Sequence, residues 1–123
     1  MKPRLLVLED NAESRLLLRH LLKGEFEAKL CPNADSAIEA AKSDRFDAAL
    51  LDINLGERKT GVDVLIELRK LPGHERIPAL ACTAYALPGD KERFLDAGFQ
   101  DYVSKPFVKA ELIGALNRAV GQR

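Results

Sequence analysis

Ala48-Ala49-Leu50-Leu51-Asp52 is four apolar residues in a row that stop on a carboxylate, and the reading of that stretch decides the fold. An apolar run this short and unbroken is the pattern of a strand covered on both faces, as in the middle of a parallel sheet. Three other runs end in the same manner: Leu5-Leu6-Val7-Leu8 before Glu9-Asp10, Ile77-Pro78-Ala79-Leu80-Ala81-Cys82 before Thr83, and Tyr102-Val103 just before Lys105. As neighbouring parallel strands they would place their C-terminal ends along one edge of the sheet, where open α/β sheets bind ligands. Polar residues far apart in sequence would then share one pocket.

Between the strands lie helical segments, the alternation of β/α units. A first strand over about Arg4–Leu8 leads to a helix from Ala12 to Lys23, capped by Asn11, with Leu17, Leu18, Leu21 and Leu22 at helical spacing. The second strand, Phe26–Leu30, alternates with Glu27 and Lys29 as an edge strand does, and Asn33 or Asp35 then starts a helix through Lys42. After the central strand, a polar loop from Leu55 to Thr60 precedes a helix from Gly61 to near Leu71. Ile77–Cys82 is the fourth strand, followed by a helix whose first turn takes Pro88 and which ends at Ala97-Gly98. Asp101–Val103 is the fifth strand, and the last helix carries Leu112, Ile113, Leu116, Ala119 and Val120 on one side. No repeat or linker interrupts the series, so residues 1–123 read as one domain.

Of the 123 residues 46% are hydrophobic, enough for a sizeable core, and 19 basic residues balance 19 acidic ones. That balance argues against direct nucleic-acid binding. No stretch approaches a signal peptide's apolar region or a membrane span, and the expected location is the cytoplasm. Cys31 and Cys82, like His20 and His74, are isolated and read as packing or surface residues.

Carboxylates meeting at a sheet edge repel one another and are pushed toward their protonated forms unless a cation neutralises them. Magnesium suits Glu9, Asp10 and Asp52, with the backbone carbonyl of Asn54 as a further oxygen. A carboxylate can also attack phosphorus, and Asp52, alone at the end of the most buried strand, is the best nucleophile. Lys105 and the Thr83 hydroxyl would pair with phosphoryl oxygens. Each residue alone has an ordinary explanation as a helix cap or turn former; four strand ends offering complementary phosphate chemistry do not.

Leu8-Glu9-Asp10-Asn11, Leu51-Asp52-Ile53-Asn54-Leu55, Thr83-Ala84 and Asp101-Tyr102-Val103-Ser104-Lys105-Pro106-Phe107 together resemble the receiver domain of two-component response regulators, over essentially the whole chain. The resemblance implies an α/β, flavodoxin-like doubly wound sheet of five parallel strands in the order 2-1-3-4-5, with five flanking helices. It implies that Asp52 accepts a phosphoryl group from a histidine kinase or phosphotransfer protein, with magnesium held by Asp10, Asp52 and the Asn54 carbonyl and Glu9 acting mostly through water. Lys105 and Thr83 would read the phosphoryl oxygens, the Lys105-Pro106 bond would be cis, and Tyr102 would be the switch aromatic. Ala84 and Tyr85 would flank the site. A downstream protein would be recruited by the face of the fourth helix, fifth strand and fifth helix, and a phosphorylation-dependent homodimer stays open. Such a domain catalyses only its own phosphorylation and dephosphorylation and is not a turnover enzyme.

Two departures from the family's pattern stand out. Glu9 occupies a position where aspartate is common, and Gly56 one where proline is, with Gly61 a residue later than usual; a bulge at Thr60-Gly61 is expected, with Glu57, Arg58 and Lys59 reshaping the entrance. Among rival readings, a haloacid-dehalogenase-type phosphotransferase needs a second aspartate where Asn54 stands. In a flavodoxin-like cofactor binder the loop after the first strand takes a phosphate, which Glu9, Asp10 and Glu13 would repel. The serious alternative is a receiver-shaped docking module that signals without phosphorylation.

Overall fold

The computed structural model describes residues 2–84 and 87–121. Its strands are β1 (Arg4–Leu8), β2 (Glu27–Cys31), β3 (Ala48–Asp52), β4 (Ala79–Thr83) and β5 (Asp101–Ser104), all parallel, in the order β2-β1-β3-β4-β5. The helices are α1 (Ala12–Leu22), α2 (Ala34–Ser43), α3 (Gly61–Leu68), α4 (Asp90–Asp96) and α5 (Lys109–Gly121). Alternation along the strands divides the core between the two sheet faces. Leu6, Leu8, Ala49, Leu51 and Ala81 point to the side of α2, α3 and α4; Leu5, Val7, Leu50, Leu80 and Val103 point to α1 and α5. Both faces are covered, so every residue of β3 and β4 is buried, as the unbroken apolar runs require.

Element ends depart from the sequence reading for local reasons. Phe26 donates its N–H to the Leu22 carbonyl and buries its ring with α1, so the β2 ladder begins at Glu27. Proline at position 78 has no N–H to pair; β4 begins at Ala79 and runs to Thr83. Helix α3 stops at Leu68 rather than near Leu71. Pro88 falls outside α4, because Gly89 has a φ of 88° that no helix accepts, and the helix starts at Asp90. Of the leucines at helical spacing in α1, Leu18 and Leu22 are buried, while Leu17 is 42% exposed. The Asn11 side chain caps α1 by accepting from the Ser14 N–H. Cys31 and Cys82 are buried free thiols, and the Lys105–Pro106 peptide bond is cis. Among the described residues no helix is long and apolar enough to cross a membrane.

Candidate functional site

Strand register builds the site before any side chain is considered. Leu8 pairs with Leu51 and Asp52 with Cys82, so Glu9 lies beside Asp52 on one side and Thr83 lies one step past it on the other. Thr83 pairs with Ser104, which leaves Lys105 just beyond the end of β5. Backbone bonds continue past the strand ends: the Glu9 N–H donates to Cys31, Ile53 to Cys82, and Lys105 to Thr83, at 2.9–3.0 Å. The residues that carry the chemistry are thus fixed to a rigid sheet edge.

Oxygens of Glu9, Asp10 and Asp52 lie within 4.8 Å of one another. Glu9 and Asp52 are buried, at 1% and 2% exposure, whereas Asp10 is exposed. The Lys105 ammonium stands between the buried pair, with Nζ 2.6 Å from Glu9 Oε1 and 3.2 Å from Asp52 Oδ2. Backbone amides take further oxygens: Asn11 donates to Glu9 Oε2 at 3.0 Å, Asn54 to Asp52 Oδ1 at 3.3 Å, and Gly56 to Asp10 Oδ2 at 3.0 Å. The Arg15 guanidinium, from the start of α1, donates to the Glu9 carbonyl at 2.9 Å.

Burial, and after it the charge of Glu9, lifts the Asp52 carboxyl to about 7; Lys105 opposes this without cancelling it. Burial works against the Lys105 ammonium, but its bond to Glu9 and the neighbouring charges prevail and raise it to about 12. For Asp10, the slight burial is outweighed, chiefly by the hydrogen bond from the Gly56 N–H, and its carboxyl sits below the usual range. One ammonium is thus shared by two buried carboxyl groups, with the Asp10 carboxylate beside them, and the Asp52 carboxyl is displaced toward its protonated form. An all-oxygen donor set of this density fits a hard divalent cation.

Of the other sequence candidates, Thr83 is buried at the end of β4, Asn54 and Ala84 are exposed beside the cluster, and Pro106 is exposed next to Lys105. Tyr85 lies outside the described residues. Tyr102 is half-buried on β5, its ring 5.9 Å from that of Phe94 on α4. The expected bulge at Thr60-Gly61 is absent. Thr60 caps α3 in a reciprocal pair with Asp63, and the Gly61 N–H donates to the Ile53 carbonyl. Glu57 and Lys59 turn away from the cluster, Glu57 to the Ala34 N–H at the start of α2 and Lys59 to Glu67 at 2.8 Å; Arg58 is exposed. Sequence reading missed three contributors. A Cβ on Gly61 would collide with the Asp52 carbonyl, Gly56 holds Asp10, and Arg15 holds the end of β1. Only the Thr60-x-x-Asp63 spacing offered a signal for the first.

The profile of the response regulator receiver domain matches residues 5–117. Signal transduction histidine-protein kinase BarA of Escherichia coli K12 is 32% identical over 114 residues, 92% of this chain, which spans only 12% of that kinase. The polar-differentiation response regulator DivK of Brucella anthropi is 31% identical, with 98% of each chain covered. Among solved structures, the receiver domain of sensor histidine kinase PA1611 from Pseudomonas aeruginosa PAO1 superposes with a TM-score of 0.86 at 34% identity, covering 98% of this chain and 99% of that one. That neighbour carries a magnesium ion coordinated in its active site cleft.

Proposed function

This chain belongs to the response regulator receiver domains of two-component signalling, and from that premise we propose that it is a magnesium-dependent phosphoryl switch with Asp52 as the acceptor. The observation that carries the reading is the buried Asp52 carboxyl, which shares the Lys105 ammonium with Glu9 at the sheet edge. The donor is a phosphohistidine of a kinase or phosphotransfer protein. An Asp52 carboxylate oxygen forms the new O–P bond as the donor's P–N bond breaks and the electron pair leaves with the imidazole nitrogen. Magnesium, when bound, neutralises the charge shared by the carboxylates and the incoming phosphoryl oxygens. Asp10, Asp52 and the Asn54 carbonyl would hold it, with Glu9 acting through water.

The remaining steps belong to this chain's own groups. Lys105 exchanges an Asp52 oxygen for a phosphoryl oxygen, and the Thr83 hydroxyl donates to another. Drawing Thr83 toward the phosphoryl group opens space for the Tyr102 ring, which already leans on Phe94 of α4. The α4–β5–α5 face, which contains a cavity of about 440 Å³ lined by Lys91, Tyr102, Ser104 and Arg118, then changes shape for a downstream protein. The domain acts on itself and turns over no external substrate beyond its phosphodonor.

Incubation with acetyl phosphate and magnesium, followed by intact-mass measurement, tests the proposal. The expected result is one added phosphoryl group on the wild type, lost with a chelator and lost in Asp52→Asn. No addition to the wild type, or an undiminished yield in Asp52→Asn, would overturn it and leave a docking module that works without phosphorylation.

A further inference from the structure

Glu9, Asp10 and Asp52 are not held alike. Glu9 is oriented by the Asn11 N–H and Lys105, and Asp52 by the Asn54 N–H and Lys105, both inside the sheet edge. Asp10 is exposed, lies past the end of β1, and is reached from a different part of the chain by the Gly56 N–H, 46 residues away in sequence. The loop that carries this amide is tied down on every side. Glu57 accepts from the Ala34 N–H, Lys59 pairs with Glu67, Thr60 caps α3, and the Gly61 N–H bonds to Ile53.

We propose that the Gly56 N–H is a positioning group for the metal site, fixing the orientation of the Asp10 carboxylate so that it can serve as a ligand beside Asp52. This rests on the magnesium site of the proposed function and adds to it a specific backbone contribution from the β3–α3 loop. Hydrogen bonds to ligating carboxylates orient them, and their loss commonly weakens metal binding about 10- to 100-fold. Proline at this position offers no N–H, so the contact depends on the residue this chain carries there. Alanine keeps the amide, and its Cβ would meet Asp10 Oδ2 at 3.5 Å, an ordinary contact.

The test is titration of the metal-free protein with Mg²⁺ alone, by calorimetry, on the wild type, Gly56→Ala and Gly56→Pro, with thermal melts of each in chelator. Gly56→Ala should bind as the wild type does. Gly56→Pro should bind about 10-fold more weakly or worse, with its metal-free melting temperature little changed. If Gly56→Pro fails to fold, a semisynthetic protein with glycolate at position 56, an ester in place of the amide N–H, serves instead and should show the same loss. Wild-type affinity in Gly56→Pro or the ester, or an equal loss in Gly56→Ala, would overturn the inference while leaving the metal site intact. Absence of Mg²⁺ binding by the wild type would instead overturn the metal site on which it rests.

Discussion

Asp52 keeps a proton that an unfolded chain would have released. Its carboxyl titrates near 7 in the fold against 3.8 outside it, so between those values the folded state binds more protons, and raising the pH favours unfolding. The cost is absent below the unfolded value and complete above the folded one. The displacement from 3.8 to about 7 caps it at about 4 kcal/mol. Burial of the His74 imidazole gives an opposing slope in the same range, so the Asp52 effect is read as a difference: metal-free wild type should lose stability relative to Asp52→Asn from about pH 4 to pH 7. Denaturant titrations of both proteins across that range in chelator measure it; a wild-type stability that stays level or rises with pH relative to Asp52→Asn would contradict the account. The charges behind this behaviour were legible in sequence, because each carboxylate or lysine follows an apolar run. Gly56 and Arg15 were not, since a backbone amide or a carbonyl contact leaves no mark in residue type.

At the scale of elements, the junction of β3 and α3 is the tightest place near the site. Alanine at a helix position ordinarily gains up to about 1 kcal/mol over glycine. At Gly61 the added methyl would strike the Asp52 carbonyl, and overpacking of this kind costs about 1–3 kcal/mol. Gly61→Ala should thus fail to gain the usual stability and instead cost up to about 2 kcal/mol, while Thr60→Ala should cost about 1 kcal/mol through the lost cap. Equilibrium denaturation of the two variants measures both; a stabilised Gly61→Ala would show that the junction relaxes freely. The strands were readable from Ala48–Leu51 and Leu5–Leu8 because both sheet faces are dry. Their neighbours were misjudged at the ends, where Phe26 serves α1, Pro78 has no N–H to donate and β4 begins after it, and Gly89 sets the start of α4.

Across the whole molecule, the two-sided core and the reactive edge follow from one pattern. Alternate side chains of each strand feed the α1/α5 layer and the α2/α3/α4 layer, and the strand ends carry what neither layer can accept. Composition and spacing reveal that division. The loop between Asp52 and α3 stayed obscure, because its position is set by Glu57 on α2 and Lys59 on α3, contacts that exist only once the layers assemble. The central claim is that this assembly makes Asp52 a phosphoryl acceptor. The most direct measurement is borohydride reduction of the acetyl-phosphate-treated protein, followed by peptide mass mapping, since an acyl phosphate is reduced to an alcohol. The account predicts reduction at Asp52 and at no other carboxylate, dependent on magnesium. Modification at Glu9, at Asp10 or at a histidine, with Asp52 untouched, would contradict it.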